Sequence, residues 1–263
     1  MIALMTESST PDRSRSFGAA ADLYDDIRPR YAEPALRWLL APLTGDRPGG
    51  PPLRLVDLGA GTGILTRQLL TLGHQVLAVE PDAGMRAKLT ATTPAATALA
   101  GSAEEIPVPT GSVDGVLAGQ AYHWFDRGRA HAEIARVVRP GGLFGPVWNI
   151  RDQSVPWTLE YTRVIKGEED TPGIHQGQLR DPDFGPGFGP VESASFAHHT
   201  EQTPAGLERL MRSRSYYLVG DPDRQAEQVT GLRRLLASHP DLAGRDQFPM
   251  RYQTMAYRAV RVG

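Results

Sequence analysis

The sequence contains no cysteine, so disulfides, thiolate zinc sites and cysteine nucleophiles are all excluded. The formal net charge of the 263 residues is −2 and no run of five like charges occurs, so nothing attracts a polyanion such as a nucleic acid. No apolar run reaches the roughly 18 residues that a membrane helix needs. We therefore expect a cytoplasmic protein that binds neither nucleic acid nor a membrane.

The composition is 40% apolar, which is enough for a full buried core. We expect one domain over residues 17–263, preceded by a flexible tail at residues 1–16. Within the domain, residues 17–45 form a helical cap that Pro29 interrupts. Residues 53–150 form a cofactor-binding core, and residues 151–263 form a lid and the final strands.

Strands and helices alternate from residue 53 onward. This rhythm predicts a doubly wound, mostly parallel Rossmann-like sheet with helices on both faces. A helical lid insert then follows, with helix starts at Thr203-Pro204 and Asp221-Pro222. The predicted strands are 53–58, 75–79, 97–99, 113–117, 142–148, 191–196 and 250–257, and the predicted helices of the core are 64–72, 83–89 and 127–138.

A glycine-rich turn is the strongest motif, in residues 56–63, which read Val-Asp-Leu-Gly-Ala-Gly-Thr-Gly. Its glycines permit unusual dihedral angles and let a ligand approach the backbone. The dinucleotide fingerprint would place a glycine where Ile64 stands, so the turn suits a ligand without pyrophosphate. Asp57, at the strand end, could accept hydrogen bonds from the turn amides or, through water, from a ligand ammonium.

The second predicted strand ends in Glu80-Pro81-Asp82. The Glu80 carboxylate could accept hydrogen bonds from both hydroxyls of a ribose, each worth roughly 1.5–3 kcal/mol. NAD enzymes use the same geometry, so Glu80 indicates an adenosine group rather than one cofactor. The alternative is that Glu80 caps the following helix.

Two further segments should reach the same edge of the sheet. Ala103 and Glu104, after the third strand, could meet an adenine ring and its amino group. The fourth strand ends in an aromatic-dense segment, residues 119–126, at the edge where doubly wound sheets bind ligands. There His123, with an ordinary pKa of about 6.5, could act as a base or only orient the loop.

Several residues could contact an acceptor, each with a plainer alternative. Tyr122, Trp124 and Trp148 could wall an apolar acceptor or belong to the core. Asn149 and Arg151 could bind a carboxylate, or be a turn residue and a surface cation. Near a lid helix, charged and aromatic side chains could hold an acidic substrate or form a solvated face: Arg209, Arg212, Arg214, Tyr216 and Tyr217. His198 and His199 should point oppositely on a strand, so we expect no metal site.

A family resemblance rests on four stretches: residues 57–63, Glu80-Pro81, residues 121–125 (Ala-Tyr-His-Trp-Phe) and residues 139–142 (Arg-Pro-Gly-Gly). Together they resemble class I S-adenosylmethionine (SAM)-dependent methyltransferases. They look particularly like the small-molecule branch that includes trans-aconitate methyltransferase-like proteins. Residues 17–29 resemble the N-terminal cap of that branch. The resemblance is strong over residues 16–150 and loose beyond.

The resemblance implies SAM as the cofactor and assigns residues to it. The glycine turn would line the methionine and ribose portion, Glu80 the ribose, Ala103 and Glu104 the adenine, while Gln120 would approach through its backbone. Tyr24 and Arg28 would close over the cofactor carboxylate. The full set of implied cofactor contacts is Tyr24, Arg28, Asp57, Gly59, Ala60, Gly61, Gly63, Glu80, Pro81, Met85, Ala103, Glu104 and Gln120.

The implied activity is methyl transfer to a small-molecule acceptor by in-line displacement at the sulfonium methyl. A nucleic-acid acceptor fits poorly, because the fourth strand leads into Gly-Gln-Ala-Tyr-His-Trp rather than an Asn/Asp-Pro-Pro-aromatic motif. Two alternatives stay open: a SAM-binding protein repurposed for another reaction, and an NAD-dependent oxidoreductase. Pro146 departs from the family pattern and predicts a short or bulged fifth strand, or a different pocket floor. The sequence sets no oligomeric state.

Overall fold

The computed structural model describes residues 28–45, 50–166, 179, 182–218 and 220–263. Its strands are β1 (Arg54–Leu58), β2 (Gln75–Val79), β3 (Thr97–Leu99), β4 (Val113–Gly119), β5 (Val138–Arg151), β6 (Glu192–Gln202) and β7 (Phe248–Val260). Its helices are α1 (Glu33–Thr44), α2 (Ile64–Thr71), α3 (Ala83–Thr92), α4 (Arg127–Val137), α5 (Pro156–Lys166), α6 (Pro204–Arg212), α7 (Ser215–Leu218) and α8 (Pro222–Ser238), with a 3₁₀ turn at Tyr122–Trp124.

The strands of the described residues form one sheet in the order β3-β2-β1-β4-β5-β7-β6. β1 to β5 pair in parallel, whereas β7 runs antiparallel between β5 and β6. The strand order reverses between β1 and β4, and open α/β sheets bind ligands at such a switch point, outside the carboxyl ends of the strands. The predicted mostly parallel, Rossmann-like sheet is confirmed.

Both faces of the sheet are buried, as alternating residues of β1 illustrate. Val56 packs in a cluster with α4, and Leu55 packs in another cluster with α1 and α2. A third cluster joins α5, α6 and α8 to the first half of β7. Each fully buried aliphatic or aromatic side chain contributes roughly 1.5–3 kcal/mol. The lid helices therefore have a core of their own.

The helix starts predicted in the lid are confirmed. Thr203 Oγ1 accepts a hydrogen bond from Gly206 N at 3.0 Å, and Asp221 Oδ1 accepts one from Arg224 N at 2.8 Å. In both helices a proline occupies the first turn, where its missing N–H costs nothing. None of the described helices combines the length and the apolarity needed to cross a membrane.

The prediction of a short or bulged fifth strand at Pro146 is wrong, whereas its alternative, a different pocket floor, stays a prediction. β5 extends over 14 residues, and Pro146 pairs in register with Ala118 of β4. The only register shift between these two strands lies between Val113 and Gly115. On the other side, β5 pairs with β7 at Phe144 and Val147 but not at the two residues between, so the missing N–H of proline falls in a gap of the ladder.

The N-terminal prediction is tested only in part. The helix expected after Pro29 is present as α1, whereas the helix expected before it and the tail at residues 1–16 lie outside the described residues. The last two strands are longer than predicted, because β6 extends to Gln202 and β7 begins at Phe248. The division into cap, core and lid stays a prediction.

Candidate functional site

The glycine turn after β1 adopts a conformation that requires glycine. Gly59, Gly61 and Gly63 have φ angles of 70°, 57° and 91°, which side chains rarely allow. A β-carbon on Gly59 would lie 2.6 Å from the Cβ of Ala121. The turn and the segment after β4 therefore touch at the switch point of the sheet.

The Glu80 carboxylate braces this turn. Its Oε2 accepts a hydrogen bond from Gly61 N and its Oε1 accepts one from Asp82 N, both at 2.8 Å. Burial raises the pKa of Glu80, which is 5% exposed, and these two backbone amides act in the opposite direction. Asp82 caps α3 by accepting from Met85 N, so the helix-cap alternative for Glu80 is wrong. Each Glu80 oxygen keeps a second acceptor position.

Asp57 is buried, with a partner that the sequence did not indicate. The hydroxyl of Thr66 on α2 donates to Asp57 Oδ2 at 2.6 Å, while Oδ1 has no hydrogen-bond partner in the described part of the chain. The predicted bonds from the turn amides are not those observed, because Gly59 N donates to Val79 O and Gly61 N to Glu80. Burial raises the pKa of Asp57 to about 7.

The start of α3 closes one side of the turn. Met85 is buried, and its sulfur lies 3.6 Å from where a β-carbon on Gly61 would be. Pro81 is exposed beside it. Arg86, which the sequence analysis missed, donates from Nη1 to the carbonyl oxygens of Glu80 and Pro81 at 2.8 and 3.2 Å.

The loop after β3 is fixed to the start of α4. Ala103 is buried in the cluster that contains Val79, and Glu104 Oε1 accepts a hydrogen bond from Asp126 N at 2.9 Å. Glu104 therefore ties the loop to the segment that follows β4. Ala103 and Glu104 lie beyond the carboxyl end of β3, as predicted from the sequence.

Gln120 occupies a strained position at the end of β4. With φ of 56°, it is the only non-glycine residue with positive φ in the described part of the chain. Its backbone N–H donates to Val147 O at 2.9 Å, and its side-chain amide donates to Asn149 O at 3.1 Å. Such strain costs on the order of 1–3 kcal/mol and is concentrated at functional sites.

Two of the three aromatic residues predicted to wall an acceptor belong to the core. Tyr122 is 2% exposed, and its hydroxyl lies 2.9 Å from His131 Nε2. Trp148 is fully buried and packs edge-on against Tyr122, with ring centroids 6.0 Å apart. The acceptor-wall prediction is therefore corrected for both residues, because neighbouring aromatic rings enclose them. Trp124 is 44% exposed.

His123 is poorly suited to act as a base. Trp148 Nε1 donates to His123 Nδ1 at 3.5 Å, and burial lowers the pKa of His123 to about 4. The imidazole is therefore neutral at neutral pH and a weak proton acceptor. Since efficient general bases have a pKa near the operating pH, the arrangement favours the orienting role.

The side chain of Asn149 binds the N-terminal segment at Pro29 and Arg30, so its amide is not available to a methyl acceptor. Its Nδ2 donates to the carbonyl oxygens of Pro29 and Arg30 at 3.1 and 3.0 Å. Its Oδ1 accepts from Thr254 Oγ1 at 2.6 Å and lies 3.1 Å from His198 Nε2. The acceptor-binding prediction for Asn149 is corrected, because its side-chain atoms are already engaged.

Segment 28–32 lies across the carboxyl edge of the sheet. Arg28 donates from Nη2 to Ser213 O at 3.0 Å, which links the segment to the lid helices. The Tyr31 hydroxyl would lie 2.6 Å from a β-carbon on Gly119, at the end of β4. The sequence carried no signal for this contact of Tyr31. Tyr24 and the side chain of Tyr216 lie outside the described residues.

Comparison with known proteins gives consistent matches. Residues 56–145 match the methyltransferase domain family. The chain is 39% identical to an uncharacterized methyltransferase of Mycobacterium tuberculosis, over 95% of this chain and 98% of the relative. It is 32% identical to an uncharacterized methyltransferase-like protein of Schizosaccharomyces pombe, over 89% and 91%. A candidate type II methyltransferase structure from Anaeromyxobacter dehalogenans has a TM-score of 0.64 at 26% identity, covering 89% and 97%.

The fold, the glycine turn and these matches define one class, the class I SAM-dependent methyltransferases. The chain belongs to the methyltransferase family, and the cofactor of this class is S-adenosyl-L-methionine. The site fits this cofactor, since glycines keep the turn backbone accessible, Glu80 retains acceptor positions, and a buried Asp57 oxygen has no hydrogen-bond partner among the described residues.

Proposed function

We propose that the protein transfers the methyl group of SAM to a small-molecule acceptor that binds beside Gln120. The observation that carries this proposal is a cavity of about 70 Å³ between the end of β5 and α5, with Gln120 in its wall. Drug-sized ligands fill roughly 300–1,000 Å³, so this cavity would take one functional group of an acceptor. A duplex or a folded protein surface would not enter it.

The cofactor would lie on the other side of Gln120. Gly59, Ala60, Gly61 and Gly63 would line its methionine and ribose portion, with Asp57 beneath them. The ribose would meet Glu80 and Pro81. Met85, Ala103 and Glu104 would border the adenine, the backbone of Gln120 would approach the methyl-bearing end, and Tyr24 and Arg28 would close over the carboxylate. The contact between the Gly59 turn and Ala121 supports this placement, because it brings the two segments together.

When bound, the cofactor supplies an electrophilic methyl group on a sulfonium centre. The work of the chain is then to hold the acceptor in line and to exclude water, and positioning alone can contribute roughly 7–11 kcal/mol in ideal cases. His123 would orient the Tyr122–Trp124 turn through its bond to Trp148. An acceptor that arrives deprotonated then needs no base from the protein. The finer resemblance to trans-aconitate methyltransferase-like proteins stays a prediction.

The first experiment measures S-adenosylhomocysteine formed from SAM in the presence of a cell extract split by size. We expect product with the small-molecule fraction and none with the macromolecular fraction. Product only with the macromolecular fraction would contradict a small-molecule acceptor. No product with any fraction, despite SAM binding, would favour a repurposed SAM-binding protein.

The placement of the cofactor is tested by Glu80→Ala. We expect SAM affinity to fall about tenfold or more, because the brace on the Gly61 amide and the acceptor for the ribose are both lost. Isothermal titration calorimetry gives the affinity. Glu105→Ala, an exposed carboxylate on the neighbouring loop, is the matched control and should leave it unchanged. Equal affinities for both variants would mean that the pocket is misplaced.

A further inference from the structure

Three cationic residues from separate parts of the chain line the cavity beside Gln120. Arg151 comes from the end of β5, Lys166 from the end of α5, and Arg214 from the segment between α6 and α7. The remaining lining from the described residues is neutral and includes Thr162. Three elements, two of them consecutive, therefore bring positive charge to one small volume next to the proposed methyl-transfer position.

The two arginines of the cavity also act on two buried tyrosines. Burial raises the pKa of the Tyr161 and Tyr252 hydroxyls, and the positive charges of Arg28, Arg151 and Arg214 act on both in the opposite direction. The guanidinium of Arg151 lies 5.2 Å from the centroid of the Tyr161 ring. Arg151 and Arg214, which line the cavity, therefore also act on two buried hydroxyl groups.

The geometry of the two arginines fits a bound anion. Arg151 Nε donates to Thr162 Oγ1 at 3.3 Å, which orients its planar guanidinium. Arg214 Nε is buried and has no hydrogen-bond partner in the described part of the chain. A buried donor without an acceptor costs roughly 1–3 kcal/mol, more for a charged group, so an oxygen ligand at this position would offset a cost already present.

We propose that this cavity is an anion subsite in which Arg151, Arg214 and Lys166 hold a carboxylate or phosphate group of the acceptor. Arginine suits such a group because its planar fork of N–H donors matches two anionic oxygens. Lysine adds a point charge. The subsite rests on the proposed function, since it orients the acceptor toward the neighbouring cofactor pocket, and it defines the acceptor as an acid rather than a neutral or cationic molecule.

The test titrates the full-length protein, loaded with S-adenosylhomocysteine, with malonate, inorganic phosphate and the neutral malonamide. We expect malonate or phosphate to bind and malonamide not to bind, with affinity that falls as salt increases. The malonate and phosphate arms show which kind of anion the subsite prefers. Arg214→Gln and Arg151→Gln should each weaken binding of the anion about tenfold or more. Arg233→Gln, an exposed cation on α8, is the matched control and should change nothing.

SAM affinity, measured on every variant, separates the two proposals. Wild-type protein that binds SAM but neither anion, or that binds malonamide as well as malonate, overturns the anion subsite and leaves the proposed function standing. Wild-type protein that does not bind SAM overturns the proposed function itself. If Arg214→Gln also loses SAM affinity, Arg214→Lys replaces it: partial loss of anion binding with normal SAM affinity supports the subsite, and unchanged anion binding overturns it.

Discussion

Two regions meet at Gln120, and they are built from different kinds of contact. The cofactor side comprises the glycine turn and Glu80, and the acceptor side comprises segment 28–32, the end of β5, β7 and the lid helices. On the cofactor side, the hydrogen bonds join residues that are close in sequence. The bond from Thr66 to Asp57 spans 9 residues, and the bond from Gly61 to Glu80 spans 19. Glycine dihedral angles and hydrogen bonds from backbone amides determine the conformation of the cofactor side, so a short sequence motif is enough to specify it.

On the acceptor side, the contacts of the N-terminal segment join distant parts of the chain. Arg28 bonds to Ser213 across 185 residues, and Ala32 bonds to Thr254 across 222. Here side chains, not backbone conformation, bring the N-terminal segment, β7 and the lid helices together. Loss of one side chain should therefore loosen this side locally, whereas the cofactor side should fail when its backbone is disturbed.

The largest expected effect comes from disturbing that backbone with Gly59→Ala. The new β-carbon would meet Ala121 at 2.6 Å, so we expect SAM affinity to fall about a hundredfold and stability to fall by about 1–3 kcal/mol. Gly73→Ala is the matched control, because Gly73 has φ of 89° but open space around it. It should cost about 1 kcal/mol of stability and leave SAM affinity intact. Similar SAM affinities for Gly59→Ala and Gly73→Ala would contradict the view that backbone conformation determines the cofactor side.

The next effect concerns the buried carboxyl of the cofactor side. Asp57 has an ordinary pKa of 3.8 and a pKa of about 7 when folded. Between these values the unfolded chain releases a proton that the folded protein retains, so the free energy of unfolding falls as pH rises. Between about pH 5 and about pH 7, the free energy of unfolding of the wild type should fall by about 2 kcal/mol more than that of Asp57→Asn. Urea unfolding at each pH measures both.

The control for this pH dependence is Asp223→Asn, on the exposed first turn of α8. It should follow the wild-type profile throughout. Parallel profiles for wild type and Asp57→Asn would show that Asp57 is not desolvated as the structure indicates.

A more local effect is expected on the acceptor side from Asn149→Ala. The variant loses the bonds to Pro29 and Arg30 and leaves the Thr254 hydroxyl without its acceptor, at a cost of about 1–3 kcal/mol. Hydrogen exchange at the Ala32 amide should accelerate, while SAM affinity changes little. Ser195→Ala, which removes an exposed bond to Gln253, should affect neither quantity. Unchanged exchange at Ala32 would mean that Asn149 does not hold the segment.

The smallest effect is expected from His123→Gln. Once an acceptor is identified, turnover of this variant should fall less than about tenfold. Loss of a general base would lower turnover by roughly 10²–10⁴-fold. The rate of wild type should show no titration of His123 near neutral pH, since burial lowers the pKa of this residue to about 4. His199→Gln, on the exposed face of β6, is the control. A hundredfold loss specific to His123 would restore the base hypothesis.

The short-range character of the cofactor side explains why it could be predicted from sequence. The alternation of strands and helices gave the sheet, and the glycine turn followed by Glu80 marked the edge where its strands end. What the motif did not contain was Thr66, because a threonine on the buried face of a helix carries no pattern of its own. The helix caps at Thr203 and Asp221 were equally local and were predicted correctly.

The acceptor side could not be predicted in the same way. An aromatic residue beyond a strand end carries no signal for which neighbours will enclose it, so Tyr122 and Trp148 read equally well as pocket or core. Three partners of the Asn149 side chain, Pro29, Arg30 and Thr254, are more than a hundred residues away, and no spacing rule reaches them. Pro146 was misjudged because the gap in the β5–β7 ladder depends on how two distant strands meet.

The strained backbone of Gln120 has a thermodynamic consequence. In the proposed function the backbone of this residue approaches the cofactor, and the same residue lines the cationic cavity. A ligand on either side that prefers one setting of these dihedral angles alters the setting that the other ligand meets. Linkage then requires reciprocity: whatever factor the acceptor imposes on the affinity of the cofactor, the cofactor imposes on that of the acceptor.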